Sequence, residues 1–192
     1  RSIFVAPIAK RESWLLDGRR SSNYLPGGRR HVQVLAYMAE AQTVEGERRY
    51  IPWGPVVLTT KGYQARYLLE AFGKWNKATA SVRAKIAPGV PAQCFYALIG
   101  THGKERVVEQ VGKSGAQSPI TPISVYIPET LSEKILASLY VGGDVASIMA
   151  DLYDQAADWL VAWKIDAETQ PAGPDNFDPA WNMEYPAEDV PF

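Results

Sequence analysis

Two kinds of side chain recur close together in the first part of this chain. Arginines interleave with aromatics: Arg11 before Trp14, Arg19 and Arg20 before Tyr24, Arg29 with Arg30, then Arg48 and Arg49 before Tyr50 and Trp53. A guanidinium meets a phosphate with a planar fork of donors, and an indole or phenol ring offers a flat face to a base. Stacking one base on such a ring is worth roughly 1–3 kcal/mol, comparable to a good phosphate contact. Interleaved in this way, these positions suit a single nucleic-acid strand held without regard to sequence. Two of the tryptophans have a competing use. Trp53 could be a core residue beside the bends at Pro52 and Pro55, and Trp75 lies on a helical apolar stripe that belongs in a core. Lys61, Lys74, Lys77, Arg83 and Lys85 form either a second basic face or the solvated side of a helix.

Residues able to carry catalysis are sparse. His31, His102 and Cys94 are the only imidazoles and thiol, too few for a zinc set of four Cys/His ligands. Gly112-Lys113-Ser114 resembles the end of a phosphate-binding loop. Val107, however, stands where that motif requires glycine, and no helical pattern opens after Ser114. It reads as a flexible basic loop able to touch a phosphate. No nucleophile elbow of the Gly-x-Ser-x-Gly type and no His-Glu-x-x-His occurs. The carboxylates are scattered, so no acid–base pair stands out. The expectation is a protein that is not an enzyme and needs no metal or cofactor.

The elements that must position the basic and aromatic residues follow from periodicity. Pro26-Gly27-Gly28 is a turn, and His31 to Met38 alternates as a strand does. Glu45-Gly46-Glu47 looks like a hairpin tip that returns through Arg48 to Ile51, and Pro55 to Thr59 is a short β-branched strand. From Gly62 to Lys77 the apolar period becomes helical. Gln93–Thr101 and Glu105–Gln110 look like strands paired around His102-Gly103, and Ile123–Ile127 is another. Two helices follow: Glu129 to Tyr140, then Val145 to Lys164 with Asp144 as its N-cap. Strands ahead of two C-terminal helices predict an α+β domain whose small, mostly antiparallel sheet or barrel is OB-like.

Charge divides the chain at the same place. Residues 166–192 hold seven acids and no Lys or Arg, so residues 1–164 keep all 20 bases and the other 14 acids, a net of +6. Five prolines fall in those last 27 residues. The expected organisation is a basic globular domain over 1–164 and a disordered acidic tail over 165–192. A tail of that length has a root-mean-square reach of about 30 Å, enough to lie over a basic groove on its own domain. No apolar run approaches the roughly 18–20 residues of a membrane span. The lone cysteine argues for a reducing cytoplasm, while the absence of Met before Arg1 leaves upstream residues or a removed leader open.

The tail ends Glu188-Asp189-Val190-Pro191-Phe192. This resembles the C-terminal tip of bacterial single-stranded-DNA-binding proteins, in which a disordered linker ends in acids, an aliphatic residue, Pro and Phe. The match covers the last five to seven residues. It departs from the family pattern in having two adjacent acids rather than a longer run, and in an aromatic-rich linker with Phe177, Trp181 and Tyr185. The body shows no alignable motif of that family. The resemblance implies a protein that coats single-stranded DNA, assembles as a homo-oligomer, and recruits replication, recombination and repair proteins through Glu188, Asp189, Val190, Pro191 and Phe192. Burying the Phe ring contributes about 1.5–3 kcal/mol, enough for weak, exchangeable capture. An alternative is a phage- or plasmid-type adaptor that mimics this tip to bind host DNA-processing enzymes without binding nucleic acid. A magnesium-dependent nuclease has less in its favour. A duplex-reading transcription factor has less still, because Val145–Lys164 is acidic rather than basic.

Overall fold

Ser2–Leu16 forms β1, a 15-residue strand that no alternation announces. Phe4–Ile8 is covered from both sides, so the polar half of the strand period is missing there, Pro7 interrupts the pattern further, and Lys10–Ser13 is an unbroken polar run. The computed structural model describes residues 2–86, 96–102, 106–111 and 116–169. Asp17 and Gly18, at φ 47° and 79°, make a two-residue turn into β2 (Arg19–Ser21). Strands β3 (Arg29–Val44) and β4 (Glu47–Lys61) form a long hairpin around Glu45-Gly46, where the sequence pattern puts its tip. Helix α1 (Gly62–Ile86) follows, then β5 (Leu98–His102), β6 (Val107–Val111), β7 (Ala116–Ile120) and β8 (Ile123–Val125). The last elements are α2 (Glu133–Ser138) and α3 (Gly143–Thr169).

The main sheet is antiparallel and curled, in the order β4-β3-β1-β5-β8, with β2 also on β1. The class is the α+β, OB-like one expected, with two helices at the C-terminal end. β3 pairs with β1 over nearly its whole length, while the other side of β1 is shared by β5 near Phe4 and by β2 near Leu15. Alternate residues of β3 then face two different helices. Val32, Val34 and Ala36 pack with Ala65 and Leu68 of α1, whereas Tyr37 joins Ala6, Ile8 and Met149 of α3. A third cluster gathers Phe4, Trp75, Leu98, Leu136 and Leu139, and Trp75 is the buried residue its stripe predicts.

Several boundaries differ from expectation. The two short strands expected at 48–51 and 55–59 are one strand, β4, which lies at the edge of the sheet and bulges at Trp53 between Pro52 and Gly54. An edge position tolerates Pro52 and Pro55 because one row of backbone groups needs no partner. Helix α1 continues nine residues beyond Lys77, and α3 five beyond Lys164. Helix α2 is shorter than expected and is capped by Ser132, whose hydroxyl accepts the Ile135 N–H at 3.2 Å. The expected pairing around His102-Gly103 is replaced: β5 pairs with β1 and β8, and β6 pairs with β7. No helix among the described residues is long and apolar enough to cross a membrane. Cys94, Gly112-Lys113-Ser114 and the acidic tail from 170 onward lie outside the described residues.

Candidate nucleic-acid interface

Two turns bring the first basic pairs to one end of the sheet. The Asp17-Gly18 hairpin sets Arg20 opposite Leu15 and Arg19 opposite Leu16. Leu25-Pro26-Gly27-Gly28 then turns the chain back, with Gly27 at φ +81° and the Gly28 N–H donating to Leu25 O at 2.9 Å. Proline second and a left-handed glycine third is the type II pattern, which disfavours any residue with a Cβ at Gly27. A Cβ at Gly28 would stand only 3.0 Å from the Leu25 carbonyl oxygen. The turn delivers Arg29 opposite Leu15 and Arg30 opposite Trp14.

Trp14 and Tyr24 meet edge to face, ring centroids 4.7 Å apart at 87°. Tyr24 is 66% exposed, the more open of the two to a stacking base. The Arg30 guanidinium lies 5.8 Å from the Trp14 ring and donates to Glu12 Oε2 from Nη2 at 2.6 Å and from Nε at 3.0 Å. Lys10 binds the other Glu12 oxygen at 2.8 Å. Burial alone would raise the Glu12 pKa, but the bonds from Lys10 and Arg30 outweigh it and hold the carboxyl below its ordinary range. Arg19 and Arg29 are exposed and pair with no carboxylate among the described residues.

A cleft of about 660 Å³ opens between this end of the sheet and the start of α1. Trp14, Arg29 and Arg30 line it from the strands, and Gly62, Tyr63 and Arg66 line it from the helix. Three arginines thus line it against one acid, Asp17. Tyr63 and Arg66 were not among the residues singled out from the sequence, because the helical period assigns Tyr63 and Tyr67 to a core stripe. The buried stripe is Ala65, Leu68, Ala71 and Trp75, and the two tyrosines flank it half-buried. An arginine set three residues after one tyrosine and one before another was the available signal. Its guanidinium lies 4.9 Å from both rings and bonds Glu109 of β6, which the Tyr67 hydroxyl also binds. The Tyr67 bond first, and Arg66 with it, keeps the Glu109 carboxyl below its usual pKa, and the same bond raises that of Tyr67.

The remaining candidates stand elsewhere. Arg11 is on the opposite face of β1 from Trp14: it donates to Gln33 Oε1 at 2.7 Å and to the Trp159 carbonyl at 2.9 Å. Its guanidinium sits 3.9 Å from the Trp159 ring, so Arg11 serves to hold α3 on the sheet. Arg48 and Arg49 pair with Thr43 and Gln42 beside the hairpin tip, and their side chains lie outside the described residues. Tyr50 packs edge-on against Phe4 at 5.0 Å, and Trp53 is half exposed at the bulge rather than in the core. Arg30 and Gln42 are separated by roughly 40 Å of strand at ~3.3 Å per residue. The interleaved series therefore divides into a cleft end with Trp14, Arg19, Arg20, Tyr24, Arg29 and Arg30, and a hairpin end with Arg48, Arg49, Tyr50 and Trp53. The tip residues Glu188, Asp189, Val190, Pro191 and Phe192 lie outside the described residues.

No protein-family model matches this chain, and no curated protein or solved structure matches it either. Nor is any group of three His, Cys, Asp or Glu placed to hold a metal among the described residues.

Proposed function

We propose that the chain binds single-stranded DNA through the cleft end of its sheet and offers the acidic tip to enzymes that process that DNA. The observation that carries the proposal is the exposed Tyr24 against Trp14, with Arg30 beside that ring and exposed Arg29 lining the same cleft, while exposed Arg19 stands on the adjoining β1–β2 hairpin. Unpaired cations supply phosphate contacts, and a ring braced by a second ring loses little freedom when a base stacks on it. Coating is passive: affinity arises from phosphate neutralisation and stacking, with no chemical step. The tail, with Phe192 and its carboxylate leaving together, fits a small apolar pocket with a basic lip on a replication or repair protein. A cytoplasmic protein working on exposed strands accords with these features.

Titration of tryptophan emission with oligo(dT) at low salt tests the proposal. Quenching is expected, with log K falling by about 0.7 per phosphate neutralised as log salt rises. Absence of binding at low salt removes the nucleic-acid half. The tail half is tested by pull-down of DNA-processing enzymes with the full chain and with a chain lacking Phe192; equal recovery removes it.

A further inference from the structure

We propose that the cleft between α1 and the β1–β2–β3 end of the sheet holds one nucleotide withdrawn from its strand, its base against Trp14 and Tyr63 and its phosphate at Arg29. This rests on the single-strand interface proposed above and extends it onto α1. The volume of about 660 Å³ falls within the roughly 300–1,000 Å³ typical of small-ligand sites. That suits a nucleoside monophosphate unit and is too confined for a duplex.

The charges around the cleft are not equivalent. Arg30 is held by Glu12, which Lys10 shares, and Arg66 by Glu109, while Arg29 has no carboxylate partner among the described residues. Arg29 is therefore the cation left for an incoming phosphate. Gly62, the first residue of α1, also lines the cleft, and the first helical turn carries no acid, so the positive end of the helix adds to the same field. Arg66 is a positioning residue. Held by Glu109 and lying over the Tyr63 ring, it fixes that ring at the wall of the cleft. Opposite, Gly27 and Gly28 present bare backbone, which lets a flat group approach closely.

The polar inventory decides what kind of base recognition is available. Among the described residues no Asn, Gln, Ser or Thr side chain lines the cleft, two of its three arginines are already paired, and Asp17 is its one carboxylate. Base edges thus meet little that could read them, and stacking dominates, which tolerates any base. A strand already unpaired enters at the cost of unstacking alone; a duplex must also break a pair.

The test uses the full chain with Tyr63→Ala, Tyr63→Phe and Arg29→Gln, titrated with oligo(dT). Tyr63→Ala should weaken binding roughly 5- to 150-fold, the span of one lost stacking contact, whereas Tyr63→Phe should bind as the wild type does. Arg29→Gln, an exposed substitution that leaves the fold intact, should lower the salt slope by about 0.7. If the wild type binds while Tyr63→Ala binds equally well, or Arg29→Gln leaves the slope unchanged, the cleft assignment is overturned and the wider interface survives. If the wild type itself fails to bind oligo(dT), both fall together.

Discussion

Glu12→Gln should make the protein less stable and better at binding single-stranded DNA. Glu12 is the carboxylate that occupies Arg30, through two bonds to one oxygen, with side-chain exposures of 32% for Arg30 and 24% for Glu12. Glutamine keeps an oxygen acceptor of nearly the same shape but removes the charge, so a neutral bond about half as strong remains. Partial exposure keeps the loss near 1 kcal/mol, at the low end for charge-assisted bonds. For a chain of this size that is roughly 2–4 °C in the melting midpoint. Binding moves the other way, because Arg30 is released beside Trp14 at the cleft and can neutralise a further phosphate. One added contact steepens the salt slope by about 0.7, which between 1 M and 50 mM salt amounts to roughly eightfold. Melting curves and oligo(dT) titrations at several salt concentrations read both effects. An unchanged salt slope in the variant would refute the placement of Arg30 against the strand, whatever happened to stability.

Other perturbations reach the core, the β6–β7 hairpin and the tail. Trp75→Ala removes a ring that is 2% exposed and should cost about 3–5 kcal/mol, seen as a lower urea midpoint at unchanged slope. Glu109 has a depressed native pKa, so the stability it contributes is complete above the ordinary carboxylate value near ~4.3 and disappears as pH falls through its lower native value. Urea midpoints of wild type and Glu109→Gln should therefore differ at pH 6 and converge in acid. Removing residues 170–192 takes away acids expected to compete with phosphate, so oligo(dT) binding should tighten, most at low salt, and its salt dependence steepen. Identical affinities for full and shortened chains across salt would exclude that competition.

Where the sequence was informative, one physical rule acted alone. The Trp75 stripe and the Glu45-Gly46 tip obey a helical period and a turn preference that nothing overrides. β1 escaped notice because burial by α1 on one face and α3 on the other erases alternation. β4 looked divided because Pro52 and Pro55 exclude a central strand, and an edge position is a property of the sheet rather than of the segment. The site shows the same limit. Spacing associates Arg11 with Trp14, yet three residues along a strand put them on opposite faces, and Arg11 is taken by Trp159. Tyr63 and Arg66 joined the cleft only because α1 starts directly after β4, a juxtaposition that depends on tertiary placement.

The outermost strand carries one more implication. A long, flat, uncapped border invites other chains to zip onto it, a hazard for any protein concentrated along a polymer. Here the two imino acids interrupt the row of available donors, and the extra residue between them twists the border out of plane. If the chain coats a strand as proposed, neighbouring molecules could thus crowd together on it without fusing into a common fibre.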